Sequence, residues 1–187
     1  MKSREEKFEY AVAISFAEED RNAALALALA MEISKLGKVY YYPDNLDATT
    51  GKNLDDELAS VYAERAAYAV VLLSPRYFDK PYTRIEFAAI RQRMLQSPDK
   101  VYLLPVMLEK TDMNDFPDLK KLGYLTWDHE PKKIAALMRK VFGMPIKNPQ
   151  PGYAARETIV QAIQKVINHD RADGQVITNI AKIRYGK

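Results

Sequence analysis

Several residue types and motifs that carry common chemistries are missing from this chain. It contains no cysteine, which excludes disulfides, thiolate nucleophiles, iron–sulfur clusters and cysteine zinc sites. Histidine occurs only as His129 and His169, so we expect no metal site. The motifs G-x-G-x-x-G, G-x-x-x-x-G-K-[ST] and G-x-S-x-G are also absent from the sequence. Dinucleotide binding through a glycine-rich turn, P-loop chemistry and serine hydrolase chemistry are therefore not predicted.

Long hydrophobic stretches and dense positive charge are missing as well. The longest unbroken apolar run, residues 23–31, is nine residues long, whereas a helix needs about 20 to span a bilayer. Residues 1–7 contain no apolar core of a signal peptide. Residues 143–187 carry seven basic and three acidic side chains, which are spaced too thinly for a nucleic-acid-binding stripe. We expect a cytoplasmic protein that binds neither membrane nor specific nucleic acid.

The composition that remains is that of a folded globular chain. Of the 187 residues 48% are hydrophobic and 28% charged, which excludes a broadly disordered chain. Apolar strand candidates alternate with helix candidates along the chain. The strands are predicted at 10–16, 38–42, 68–73, 101–108 and 123–127. The helices are predicted at about 20–36, at a segment that begins at 53, at 83–96 and at 131–142. Strands with continuous apolar runs indicate a parallel sheet covered on both faces. The predicted fold is α/β: a flavodoxin-like three-layer sandwich whose five-stranded parallel sheet has the order 2-1-3-4-5, with a C-terminal helical extension.

Three prolines divide the chain near its C-terminal end. Pro145, Pro149 and Pro151 lie within seven residues and mark a domain boundary. The prediction is a domain at 1–142 followed by a C-terminal extension at 143–187. Within this extension, residues at about 154–168 have an apolar stripe at helical spacing. This amphipathic helix either folds back on the domain or docks on another subunit.

The loops that follow the first three predicted strands are expected to face one cleft, because ligands bind beyond the carboxyl ends of parallel strands. A phospho-receiver would need an aspartate at the end of strand three, but Ser74 and Pro75 stand there. Thr83 and Glu86 have the T-x-x-E spacing of a helix capping box, which gives Glu86 a purely structural explanation. The functional alternative is a carboxylate held at the cleft mouth beside bound ligand. Asp20 and Asn53 are predicted helix N-caps, and Gly37 is predicted at the C′ position of helix one.

Four blocks of the sequence resemble the Toll/interleukin-1 receptor (TIR) domain family, in particular its bacterial NAD-consuming branch. They comprise residues 10–21, 42–52, 70–75 and 82–86, and they occur in the family's order and spacing. The resemblance covers about residues 8–142 and implies the same flavodoxin-like fold.

This resemblance implies cleavage of the nicotinamide–ribose bond of NAD⁺, which would be a substrate and not a cofactor. Glu86 matches the family's catalytic glutamate. Nicotinamide leaves as a neutral molecule and needs no proton, so one ionised carboxylate that stabilises the oxocarbenium-like ribose is sufficient. The resemblance also implies a set of NAD⁺ contacts: Phe16, Ala17, Asp44, Leu46, Gly51, Ser74 and Tyr82. The loop after strand one is acidic, so positive charge for the phosphates would come from Arg21, Lys52 or Arg84, which are otherwise interpreted as exposed residues at helix ends.

The same resemblance implies a biological setting. Related bacterial TIR proteins of the Thoeris type make a nucleotide signal in anti-phage immunity, so we expect ADP-ribose or a cyclic ADP-ribose isomer as product, self-association through TIR domains, and an effector protein that binds the product. Two alternatives remain open. One is a non-catalytic TIR adaptor that binds other TIR domains, and the other is an enzyme like the nucleoside deoxyribosyltransferases, whose fold also places a glutamate against a ribose.

Overall fold

The computed structural model describes residues 7–45, 49–98, 100–114 and 116–144, which are arranged around a five-stranded sheet. Its strands are β1 (Tyr10–Ser15), β2 (Val39–Tyr40), β3 (Ala66–Leu73), β4 (Leu103–Met107) and β5 (Leu125–Thr126). All neighbouring strands are parallel, in the order β2-β1-β3-β4-β5. The predicted fold class and strand order are confirmed.

Helices cover both faces of this sheet. They are α1 (Arg21–Ile33), α2 (Leu54–Ser60), α3 (Pro81–Gln96), α4 (Pro117–Lys120) and α5 (Pro131–Val141). α1 and α5 pack on one face, which buries the β1 residues Val12 and Ile14. Ala13 belongs to the other face, where α3 packs. Because side chains alternate along a strand, Ser15 shares the α3 face with Ala13.

The continuous apolar sequence of the two central strands explains their place in the sheet. Every residue of β1 and β3 is buried, as expected for parallel strands with a helix layer on each side. The register pairs Ser15 with Val71, so the two strands end close together at one edge. This edge is where the sequence predicts the cleft.

The end of α1 differs from the prediction. The helix stops at Ile33, and Lys35 adopts the left-handed conformation with φ 55°. The amides of Lys35 and Leu36 donate to the carbonyls of Glu32 and Met31, each at 3.0 Å, which completes a Schellman motif. The predicted C′ role of Gly37 is therefore wrong, because Lys35 occupies that position.

Gly37 allows the backbone before β2 to pass close to β1. Its φ is +108°, and a Cβ placed on it would lie 2.6 Å from the Cβ of Ala11 in β1. The amide of Ala11 donates to the carbonyl of Lys38 at 2.8 Å, so this approach brings β2 into the sheet. A side chain at position 37 would push β2 away from β1.

A π-helical turn, Val61–Arg65, connects α2 to β3. α2 begins as predicted at Asn53, whose side chain accepts a hydrogen bond from the amide of Asp55 at 3.1 Å. The wider π turn directs Tyr62 into the core, where its hydroxyl donates to the carbonyl of Ile14 at 2.9 Å. This places a phenol beside the carboxyl end of β1.

Two parts of the predicted organisation lie outside the described residues: the C-terminal extension beyond Met144, with its helix at about 154–168, and Leu46. Both stay predictions. Among the residues that the structure describes, none of the helices has the length and apolar character to cross a bilayer.

Replacing Gly37 with alanine is expected to lower the free energy of unfolding by about 2–4 kcal/mol, because the new Cβ meets Ala11 and the left-handed φ is unfavourable for alanine. Urea denaturation monitored by circular dichroism would measure the loss.

Gly143→Ala is the matched control. Gly143 also has a positive φ, of +64°, but a Cβ there meets no atom of the described residues within 4 Å, so only the conformational cost of about 1 kcal/mol is expected. Equal losses in the two variants would contradict the close-approach explanation for Gly37.

Candidate active site

The start of α3 determines where Glu86 lies. Pro81 is the first helical residue, a position that suits its fixed φ and its missing N–H. The hydroxyl of Thr83 donates to the carbonyl of Lys80 at 3.0 Å and to that of Tyr77. The predicted capping box is therefore wrong: the helix begins two residues before Thr83, and Glu86 is beyond the position from which it would cap the helix start.

Glu86 belongs instead to the buried stripe of α3. Thr83, Glu86, Phe87 and Ile90 recur at helical spacing, and all four are buried against the sheet. The side chain of Glu86 is only 6% exposed. A carboxyl group thus occupies a core-facing position that an apolar residue would ordinarily fill.

A hydroxyl from β1 holds this buried carboxyl. Ser15 Oγ donates to Glu86 Oε2 at 2.5 Å, and the hydroxyl of Tyr77 lies 2.5 Å from Ser15 Oγ on its other side. Ser15 and Tyr77 are both fully buried. Tyr62 lies close enough to lower the pKa of Glu86 as well, but its hydroxyl hydrogen is directed to the carbonyl of Ile14. The serine at the end of β1 is therefore the donor that the geometry assigns to Glu86.

Burial raises the pKa of Glu86 to about 8, and the hydroxyl groups of Ser15 and, to a smaller extent, Tyr62 oppose part of that rise. Among the described residues, no lysine or arginine contributes to this pKa. The carboxyl is therefore mostly protonated at neutral pH in this structure, which differs from the ionised state expected from the sequence. The physical reason is that desolvation disfavours the charged form when no cation is near.

Three tyrosines surround the same carboxyl group. Burial, followed by the negative charge of Glu86, raises the pKa values of Tyr40, Tyr62 and Tyr77 above the ordinary value. All three therefore remain neutral phenols over the physiological range. Within the described residues the buried hydroxyl of Tyr40 makes no hydrogen bond. The surroundings of Glu86 are thus aromatic and hydroxylic.

A second buried polar pair lies at the same edge of the sheet. Ser74 follows the end of β3, and its hydroxyl donates to Asp20 Oδ2 at 2.6 Å. Asp20 precedes α1 as predicted, but its side chain does not cap the helix. Burial raises the pKa of Asp20, and the bond from Ser74 partly opposes this. The hydroxyl hydrogen of the predicted contact Ser74 is thus directed to Asp20.

The other predicted contacts lie on turns around this edge. Phe16 directly follows β1 and stacks on Tyr41 with ring centroids 5.4 Å apart, and Ala17 is buried beside it. Asp44 is exposed in the turn after β2, and Gly51 has φ +80°. Tyr82, one helical turn before Glu86, is 50% exposed. Ser15, Tyr77 and Glu86 are joined by hydrogen bonds, and no hydrogen bond shown among the described residues connects Phe16, Ala17 or Tyr82 to them.

The three cations considered for phosphate binding all have partners within the chain. The pairs are Arg21 with Glu18 at 2.7 Å, Lys52 with Glu57 at 2.8 Å, and Arg84 Nε with the carbonyl of Phe78 at 2.5 Å. Among the described side chains no group of three or more histidine, aspartate and glutamate residues comes together as a metal site.

Ser15, Tyr62 and Tyr77 were not predicted as site residues from the sequence. A signal for Ser15 was present, since it is the one serine or threonine in β1 and ends that strand. The stripe formed by Thr83, Phe87 and Ile90 also placed Glu86 on the buried face of α3. Tyr62 shares an apolar helical stripe with Leu58 and Val61 in the sequence, which predicts its burial but not its place beside Glu86. Tyr77 had no comparable signal, because a 3₁₀ turn directs its ring inward.

Comparison with known proteins relates the chain to one family. A family model described as "TIR domain" matches residues 12–142, more than half of the chain. The chain is 32% identical over 139 residues to the 3′ cyclic ADP-D-ribose synthase AaTIR of Aquimarina amphilecti, and the match covers 74% of this chain. It covers 41% of that relative, so the chain spans less than half of its length.

A solved structure supports the fold. The crystal structure of the TIR domain of the Toll-related receptor TRR-2 from Hydra magnipapillata is similar with a TM-score of 0.51 and 20% sequence identity. The similarity covers 71% of this chain and 98% of that domain.

The raised pKa of Glu86 predicts a pH-dependent stability. The native state holds a proton that the unfolded chain releases above about pH 4.5, so the free energy of unfolding falls as pH rises from about 4.5 through about 8. Glu86→Gln lacks this titration. The free energy of unfolding of Glu86→Gln minus that of the wild type should therefore increase by about 2–4 kcal/mol between about pH 5.5 and about pH 8.5. Urea denaturation at the two pH values measures this difference.

Glu64→Gln provides the control, since Glu64 is exposed. Its stability should follow the wild type at both pH values. An unchanged difference between Glu86→Gln and wild type across this range would show that Glu86 does not titrate as its burial requires.

Proposed function

The chain belongs to the TIR domain family, and from this membership we propose that it cleaves the bond between nicotinamide and ribose in NAD⁺, with Glu86 as the catalytic carboxylate. The observation that carries the proposal is the buried carboxyl of Glu86, held by Ser15 at the carboxyl end of the parallel sheet. This edge is where such sheets bind their ligands. The similarity to a relative named as a cyclic ADP-D-ribose synthase supports the same chemistry.

The chemistry needs a negative charge in a water-poor site. As the glycosidic bond breaks, positive charge moves from the nicotinamide ring to the ribose, and nicotinamide departs neutral without a proton. A fixed carboxylate near the anomeric carbon stabilises this developing charge, and burial strengthens the interaction because the local dielectric is low. Glu86 therefore contributes to the transition state and not to leaving-group protonation.

The protonation state of Glu86 links substrate binding to this role. Before substrate binds, burial keeps the carboxyl mostly neutral at pH 7. The nicotinamide ring of NAD⁺ is cationic, and a nearby cation favours the ionised form of a carboxyl group. Binding of NAD⁺ thus promotes loss of the proton and creates the carboxylate that the reaction requires.

The nucleophile determines the product. Water gives ADP-ribose, whereas a hydroxyl of the same molecule gives a cyclic ADP-ribose isomer. The name of AaTIR as a 3′ cyclic ADP-D-ribose synthase favours a cyclic product for this chain as well. We extend the proposal to a nucleotide signal in bacterial anti-phage defence that an effector protein binds.

The adaptor alternative does not require a carboxyl group at position 86. For an adaptor, burying an ionisable group in the α3 stripe would lower stability without serving a function, which favours the enzyme. The deoxyribosyltransferase alternative also uses a glutamate, but its substrates are deoxynucleosides.

We expect concentrated wild-type protein to release nicotinamide from NAD⁺. Glu86→Ala and Glu86→Gln should reduce the rate of release by about 100-fold or more, because the positive charge of the transition state then has no carboxylate to stabilise it. Chromatography with mass detection measures nicotinamide and identifies the nucleotide product. Glu64→Gln, a change of the same type at an exposed position, should match the wild type.

Equal nicotinamide release by Glu86→Ala and wild type would refute the catalytic role of Glu86. Cleavage of deoxynucleosides in place of NAD⁺ would support the transferase alternative. An absence of turnover for every substrate would favour the adaptor.

Self-association is the further part of this proposal. The amphipathic pattern at about 154–168 provides an apolar stripe for a second subunit, and we expect truncation after Pro145 to reduce the oligomer size measured by light scattering. An unchanged size would exclude the extension from assembly. Circular dichroism of the truncated chain confirms whether its domain remains folded.

A further inference from the structure

Two buried hydroxyl groups form a short chain behind Glu86. Ser15 Oγ lies 2.5 Å from Glu86 Oε2 and 2.5 Å from the hydroxyl of Tyr77, and either hydroxyl of that second pair can be the donor. Ser15 and Tyr77 have no solvent exposure. Tyr77 packs edge-on against Phe78 and Phe87, so its ring is fixed by aromatic contacts.

This arrangement can satisfy Glu86 in both of its protonation states. When the carboxyl is ionised, Tyr77 donates to Ser15 and Ser15 donates to Glu86. When the carboxyl is protonated, its O–H can donate to Ser15, which then donates to Tyr77. Each hydroxyl carries one hydrogen and accepts through its lone pairs, so the reversal rotates the two O–H bonds. In the reversed chain Tyr77 accepts from Ser15, and among the described residues no acceptor is shown for the Tyr77 hydrogen, so this arrangement favours the ionised carboxyl.

The other groups around Glu86 contribute less. Tyr62, from the π turn, also lowers the pKa of Glu86, but to a smaller extent than Ser15, because its hydroxyl donates to the carbonyl of Ile14. Tyr40, from β2, adds a phenol that the charge of Glu86 affects but for which the described structure shows no hydrogen bond. Ser15 of β1 is thus the hydroxyl in hydrogen-bonding contact with the carboxyl, and Tyr77 orients it.

We propose that Ser15 is a positioning residue for Glu86: with Tyr77 behind it, its hydroxyl aims the carboxyl group and stabilises the ionised form that substrate binding creates. The proposal rests on the proposed NAD⁺ cleavage. It assigns Ser15 no contact with NAD⁺, since the hydroxyl lies below the carboxyl in the core and acts through Glu86.

The test is the pH dependence of kcat/KM for NAD⁺ cleavage, which reports ionisations of the free enzyme. The wild-type rate should rise with pH through about 8, as Glu86 ionises. Ser15→Ala removes a hydrogen bond to a charged group, so the midpoint should move up by about one pH unit and kcat/KM at neutral pH should fall about tenfold. Much of this loss should be recovered at high pH.

Three further variants test whether the hydroxyl of Ser15 determines the pH midpoint. Ser15→Thr keeps the hydroxyl and should retain a midpoint nearer to the wild type. Tyr77→Phe leaves Ser15 able to donate and should shift the midpoint upward by less than Ser15→Ala. Tyr68→Phe is the matched control, because it removes a buried hydroxyl that donates to the carbonyl of Phe142 on the opposite face of the sheet. It should leave the midpoint unchanged.

A second readout does not depend on turnover. The carboxyl carbon of Glu86, assigned by comparison with Glu86→Gln in ¹³C-glutamate-labelled protein, can be titrated directly by NMR. An upward shift of the titration in Ser15→Ala, and its partial return in Ser15→Thr, would support the proposal. A midpoint that is the same in wild type and Ser15→Ala, with activity reduced equally at every pH, would overturn it.

The two proposals fail in different ways. If the wild type releases no nicotinamide, the proposed function fails even where the NMR titration shows that Ser15 sets the ionisation of Glu86. If nicotinamide release depends on Glu86 but the NMR titration of Glu86 has the same midpoint in wild type and Ser15→Ala, the proposed function stands and the positioning role is overturned.

Discussion

The burial of one carboxyl group, that of Glu86, is the constraint on which the rest of the site depends. Its place in the core-facing stripe of α3 removes it from water, and a buried carboxyl without a hydrogen bond would be strongly destabilising. The hydroxyl of Ser15 meets this need, and Tyr77 in turn satisfies Ser15. The end of β1, the turn after β3 and the stripe of α3 are thus brought together by one buried group.

Under the proposed function, this arrangement lowers the stability of the fold and gives the site its reactive carboxyl group. A neutral carboxyl is tolerated in the core, but an ionised one is not unless positive charge arrives, and no described cation contributes to the pKa of Glu86. Under the proposed function the substrate itself brings that charge. The site is therefore prepared for a cationic ligand, and the native fold carries a carboxyl that weakens it as pH rises through about 8.

The candidate site has a packed, buried centre and a more exposed periphery. Glu86 and Ser15 lie on a helix and a strand that pack together, so their relative position is set by the core. Phe16, Asp44 and Tyr82 lie on turns or at a helix start, where they are partly or fully exposed. The chain belongs to the TIR domain family and is similar to AaTIR. Under the proposed function, substrate and product specificity depend on the periphery.

The sequence by itself determined the layers of the fold and the residue at the centre of the site. Continuous apolar runs in β1 and β3 indicate strands buried on both faces, and the resemblance pointed to Glu86. Tertiary structure decided the partners. Ser15 and Glu86 are 71 residues apart in the chain, and their contact depends on the start of α3 at Pro81 and its packing against β1. Local periodicity reports which face of an element is buried, whereas a hydrogen bond between distant residues requires the register and packing of whole elements.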